Sequence, residues 1–279
     1  MEAKTNFDVI GKTITDLISH GHMIAYDPDK NVLTVKGDLT RDVKGAINLS
    51  VENGYVRSNV MVPDHTLTIV ATDQRQEIGI DLNDTRISAR NIRFGYQDHT
   101  TEWSSIDGAG TIVVQEELDA ENAFIQGNGL EIQAKAARFF DVTGQARITA
   151  DHIHIVGHED NGRGKPVLIA DTIHIEEDLN GTMQLIATES ITSDHGLVGK
   201  DVEIFLCGET GKWSGLQGRI HGPTATGYNF AKPQEKEFIR DAFELIAKFR
   251  PGFMNANYPK LGGAINADVA RKNGLAHRL

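Results

Sequence analysis

The chain opens on a helical spacing and then gives it up. Phe7, Ile10, Ile14, Leu17 and Ile18 fall on one face of a helix, which predicts an amphipathic helix over residues 6–24. The segments VLTVKGDL, GAINLSVENG, YVRSNVMV, HTLTIVAT and QEIGIDL follow. Each has partial apolar alternation and ends near Gly, Asn or Asp, so they read as consecutive strands.

From about residue 86 a unit recurs: apolar, any, small, any, any, apolar, any, apolar. Its copies are Ile87-Ala89-Ile92-Phe94, Leu118-Ala120-Ala123-Ile125, Ile132-Ala134-Ala137-Phe139, Ile148-Ala150-Ile153-Ile155, Leu168-Ala170-Ile173-Ile175 and Leu197-Gly199-Val202-Ile204. A degenerate copy spans Ile186 to Ser193, and a truncated one lies in Leu216-Gly218-Ile220. The small residues stand at 89, 120, 134, 150, 170 and 199, and if the two long gaps each hide a weak copy the period is roughly 16 residues. The two-residue slip after the small residue breaks simple alternation, and a helix needs spacings of three and four sustained over ten or more residues. The slip is what a corner requires: a small inward residue lets the chain bend, and the next strand points two more apolar residues inward. Stacked units of this kind bury one continuous apolar column.

ARITADHIHIVG and PVLIADTIHIEED resemble coils of right-handed parallel β-helices, the architecture of filamentous-haemagglutinin-type adhesins, polysaccharide lyases and bactofilins. The resemblance covers residues 85–220 with fair regularity and 30–85 weakly, and its spacing is less even than that of bactofilins. It implies an all-β fold, a single-stranded, right-handed parallel β-helix with N- and C-terminal helical caps. The expected organisation is a helical cap over 1–25, a β-solenoid over 26–230 and a second helical cap over 231–279. The last is read from AKPQEKEFIRDAFELIAKFRPG, where Pro233 stands near the start, Phe238, Ile239, Phe243, Ile246 and Phe249 line one side, and Pro-Gly ends the run. Open solenoid ends carry unpaired backbone and apolar side chains, which is why caps are expected there.

Composition agrees with strands. The 27 Ile and 17 Val outnumber the 18 Leu, and β-branched residues suit strands. Between Pro63 and Pro223 only Pro166 intervenes. The single cysteine, Cys207, excludes an intrachain disulfide framework. No apolar run reaches the roughly 20 residues of a membrane span, and the first residues do not read as a secretion leader. The expectation is a cytoplasmic protein with no membrane span. A net charge of −11 argues against a nucleic-acid partner.

Counting four from each small residue predicts an outward column of Arg93, Phe124, Arg138, His154, His174 and Glu203. Counting one predicts a second column of Arg90, Glu121, Lys135, Asp151, Asp171 and Lys200. His154 and His174, with Asp151, Asp171 and His152, form the densest cluster of ligating or acid–base groups, and one strand spacing, about 5 Å, would bring the two imidazoles within reach of a shared cation or a sugar carboxylate. The candidate binding surface is therefore Asp151, His152, His154, Asp171, His174, Arg93 and Arg138. Outward positions on such a fold are polar with or without a ligand, so a solvated face accounts for the same residues.

Other candidates reduce to turns or strand ends. His158-Glu159-Asp160 lacks the second His of a zinc helix motif, and GETGKWSG misses the phosphate-loop spacing. Cys207 with Asp194-His195 is near in sequence only. Glu176, Glu177 and Asp178 are adjacent and so diverge on a strand. Trp103, Trp213, Tyr55 and Tyr96 are candidate sugar platforms, but form no regular ladder.

No cofactor or catalytic residue is indicated. The leading expectation is a non-enzymatic solenoid presenting an elongated face to a protein partner or to another copy of itself. A polysaccharide-binding or polysaccharide-cleaving protein using the His/Asp face is the alternative, and a secreted bacterial effector or phage protein on the same scaffold is a third.

Overall fold

The computed structural model describes residues 6–72, 77–96, 104–157, 164–179, 181–194, 202–206, 212–214 and 219–221, together with positions 244, 247 and 248. Helix α1 (Asn6–Ser19) is followed by β1 (Met23–Asp27), β2 (Val32–Lys36), β3 (Val43–Lys44), β4 (Leu49–Glu52), β5 (Tyr55–Val56) and β6 (Val60–Ala71). Longer strands come next: β7 (Ile78–Tyr96), β8 (Ser104–Val114), β9 (Glu117–Gln133) and β10 (Ala136–Thr149). Then follow β11 (His152–Ile155), β12 (Val167–Ile175), β13 (Met183–Ser193), β14 (Val202–Leu206), β15 (Lys212–Ser214) and β16 (Arg219–His221).

All sixteen strands belong to one sheet, so the chain is all-β with a single N-terminal helix among the described stretches. Every pairing between strands is parallel except β1 with β2. Glu244, Ala247 and Lys248 are helical, and the rest of the expected C-terminal cap lies outside the described residues, as do Cys207, His158, Glu159, Asp160 and Trp103.

Helix α1 stops five residues before the predicted end. Gly21 takes φ +80°, a left-handed turn, and the amides of His20, Gly21 and His22 close on the carbonyls of Leu17 and Ile18. The chain then enters β1, a strand the sequence pattern assigns to the helix and cap. Leu17 is 1% exposed and packs into the core.

Register explains the apolar alternation. Leu33, Leu49, Leu67, Ile92, Leu118, Ala137, Ile153, Ile173 and Ile191 follow one another across nine paired strand positions, and all are buried. Burying each branched side chain here is worth roughly 1.5–3 kcal/mol relative to leaving it in water. Between these residues lie Thr34, Ser50, Thr68, Arg93, Asp119, Arg138, His154, His174 and Thr192, in the same register on the opposite face.

Two of the sequence copies fall out of phase with the strand register. Ile148-Ala150-Ile153-Ile155 and Leu168-Ala170-Ile173-Ile175 align residue for residue. In Leu118-Ala120-Ala123-Ile125, by contrast, Leu118 stands beside Ile92 and Ala137 and Ala120 stands beside Phe139, so Ala120 is not the small residue of the bend. Val114 holds that place, opposite Ala89. Val202 and Ile204 pair with Met183 and Leu185, which precede Ala187 rather than follow it.

Where strands jog, glycine or a side-chain amide takes over. Gly108, Gly127, Gly144 and Gly164 stack across four positions. At Gly144 (φ +74°) a Cβ would lie 2.1 Å from the Gly127 carbonyl oxygen. Elsewhere Asn48 Oδ1 accepts from the Thr66 amide at 3.2 Å, Asn59 Oδ1 from Arg86 at 2.9 Å and Asn91 Oδ1 from Glu117 at 3.2 Å. These side chains replace backbone partners lost at the register shifts.

Candidate functional site

Strands β10, β11 and β12 bring Arg138, His154 and His174 onto adjacent positions of one column. The imidazoles of His154 and His174 meet edge to face with centroids 4.8 Å apart. Arg93 stands two strands away, separated from Arg138 by Asp119. Phe124 and Glu203, expected in this column, are elsewhere: Phe124 pairs with Ser105 and Asp141, and Glu203 with Gln184 and Arg219. Asp119 occupies the place assigned to Phe124, as the phase of its copy requires.

Most of these predicted groups bond to a side chain on a neighbouring strand. Arg138 Nη2 donates to Glu121 Oε1 at 2.8 Å and lies 3.9 Å from Glu176 Oε2. His154 Nε2 lies 3.0 Å from Glu176 Oε2. His174 has Thr192 Oγ1 3.0 Å from Nδ1 and Asp194 Oδ2 3.4 Å from Nε2. His152 Nδ1 is 2.8 Å from Thr172 Oγ1, and Asp171 Oδ1 accepts from Thr188 Oγ1 at 2.6 Å. The Asp171 amide donates to the Asp151 carbonyl at 3.0 Å, so the two acids occupy consecutive positions as expected. That second column runs through Arg90, Glu116, Lys135, Asp151 and Asp171, with Glu116 in place of Glu121. Arg93 is exposed, 3.9 Å from Glu117.

Burial holds His154 below the ordinary imidazole range, aided by the Coulombic influence of Arg138 and His174. Together they outweigh the opposing pull of Glu176. Among the described residues no three His, Cys, Asp or Glu side chains converge as a metal site.

A second constellation escapes the sequence pattern, apart from Tyr55 and Phe124, which that pattern assigns to other surfaces. Tyr55, Gly79, Ser105, Phe124 and Asp141 share one register, and Asp81, Asp107, Gln126 and Thr143 share another two residues on. Gly79 lets its strand approach closely, since a Cβ there would lie 2.1 Å from the Ser105 carbonyl oxygen, and a pocket of about 340 Å³ opens along these registers. Its walls are Tyr55, Glu77, Ser104, Ser105, Asp107, Phe124, Ile125, Gln126 and Thr143. Tyr55 Oη donates to Glu77 Oε2 at 3.2 Å, and Ser105 Oγ donates to Asp107 Oδ2 at 2.6 Å. Desolvation raises Asp107 above the usual carboxylate range, and Asp81 and Glu77 add to the rise against the Ser105 bond. Tyr55 is raised by burial and by the acids Glu77 and Asp107. Arg57 lies 4.7 Å over the Tyr55 ring, donates to Asp81 Oδ2 at 2.9 Å and pairs with Asp38.

This pocket carries no short motif, because its residues come from five separate stretches. The available signals are Tyr55 and Phe124, both read from the sequence as surface residues. No helix among the described residues is long and apolar enough to cross a membrane. No protein-family model, curated protein or solved structure matches the chain.

Proposed function

We propose that residues 26–230 form a single-stranded, right-handed parallel β-solenoid, and that the protein is a non-enzymatic scaffold offering its long side to a protein partner or a second copy of itself. The solenoid reading is supported by the order of pairing: each strand position is parallel to one 16 to 27 residues later, from Leu33 to Ile191. The scaffold reading is carried by the His/Arg column. Arg138, His154, His174, His152 and Asp171 are joined to side chains of their own chain, so the column acts as a ladder that ties strands together rather than as a set of convergent free groups.

Sedimentation velocity of the full chain across a hundredfold concentration range tests the self-assembly reading, with R93E as the comparison because Arg93 is the exposed charge of the ladder. The expected result is reversible association that R93E weakens. A monomer at every concentration removes self-assembly and leaves only a different protein as partner. Release of reducing ends from a polysaccharide would replace the scaffold reading with the enzymatic one.

A further inference from the structure

We propose that the pocket walled by Tyr55, Glu77, Asp107, Phe124 and Gln126 binds a primary ammonium group, carried either by a free amine or by a lysine side chain. The charged side chains in its wall are both acidic, Glu77 and Asp107. The nearby guanidinium of Arg57 is already engaged by Asp81 and Asp38. Tyr55 and Ser105 direct their hydroxyl protons at Glu77 and Asp107, so what these four groups still offer an incoming molecule is lone pairs.

A donor-rich ligand suits these four groups better than a polyol, whose hydroxyls also seek donors. An ammonium carries three donors and no acceptor. Two carboxylates are too few to cage a metal ion, in keeping with the lack of a three-ligand cluster among the described residues. The Phe124 ring supplies the aromatic surface on which a cation is favoured. About 340 Å³ admits the end of an alkylammonium chain.

The test is a titration of the full chain, followed by amide shifts of Gln126 and Thr143 in nuclear magnetic resonance spectra. The probes are putrescine and N-acetyl-lysine methylamide, with 1,4-butanediol and methyl glucoside as neutral controls. Saturable shifts are expected with the cations only, weakened at least fivefold by Glu77→Gln and, independently, by Asp107→Asn. Both variants are first checked for an unchanged or raised melting temperature. Saturation by putrescine alone assigns a free amine, and saturation by the lysine derivative assigns a peptide side chain. Equal shifts with butanediol or the glucoside, no saturation by either cation, or full binding by both variants would overturn the proposal.

Discussion

Ile153 and His154 are neighbours in the chain with opposite environments. Ile153 is 2% exposed in an apolar column, whereas His154 lies outward between Arg138 and His174. Ile153→Asp buries an unpaired charge and is expected to cost about 4 kcal/mol or more, whereas His154→Ala is expected to cost about 1 kcal/mol or less. Thermal melts of the two variants decide the matter, and equal falls would reverse the assigned faces. His154 also gives stability a pH dependence. Its imidazole titrates lower folded than unfolded, so the unfolded chain binds more protons in the window below about pH 6.5. Stability should be full above that window and decline as pH falls through the folded value. His154→Gln should flatten the melting temperature between pH 7 and pH 5, and an unchanged slope would assign the effect to other groups.

Among elements, the turns are less forgiving than the helix. Gly144→Ala forces a Cβ against the Gly127 carbonyl at a left-handed φ and is expected to cost about 2 kcal/mol or more. Gly11 lies inside α1, where an added methyl group would meet nothing within 4 Å, and Gly11→Ala should gain about 0.5–1 kcal/mol. Denaturant midpoints of the two variants should therefore move in opposite directions. The same elements show what the sequence can reveal. The copies around Ala150 and Ala170 have equal length on both sides of the bend, so their spacing alone brings His154 and His174 together. Leu118-Ala120-Ala123-Ile125 misleads because alanine fits a straight stretch beside the bulky Phe139 as well as it fits a bend, and Val114 takes the bend instead. Strand β1 is hidden because Met23–Asp27 sits directly behind a helical pattern that only the turn at Gly21 interrupts. The Tyr55 pocket is illegible for a different reason: the intervals separating Glu77, Asp107, Gln126 and Thr143 follow turn lengths, and no periodicity records those.

In the whole molecule, strands pair mostly with near neighbours in chain order, and stability is expected to be shared locally. Leu17 ties α1 to the core, close to the only antiparallel pair among the described strands. Leu17→Asp is expected to raise hydrogen exchange in β1 and β2 by about tenfold or more while β10 to β12 keep their protection. Uniform loss of protection would mean that the sheet opens as one unit. The exposed Ile18 and Met23, at 58% and 70%, border the same end, and this variant should also broaden the size-exclusion profile.

The short, steady sequence distance between paired strands has a consequence for how the protein is made. Each strand position from Leu49 to Ile191 finds its partner in chain synthesised only 16 to 27 residues earlier. The nascent chain can therefore add strands one at a time onto an edge already in place, without waiting for a distant segment to emerge. By the same logic, a residue gained or lost in a turn leaves every later register intact, whereas one gained or lost inside a strand inverts the faces of that strand alone. Length variation should accumulate in the turns.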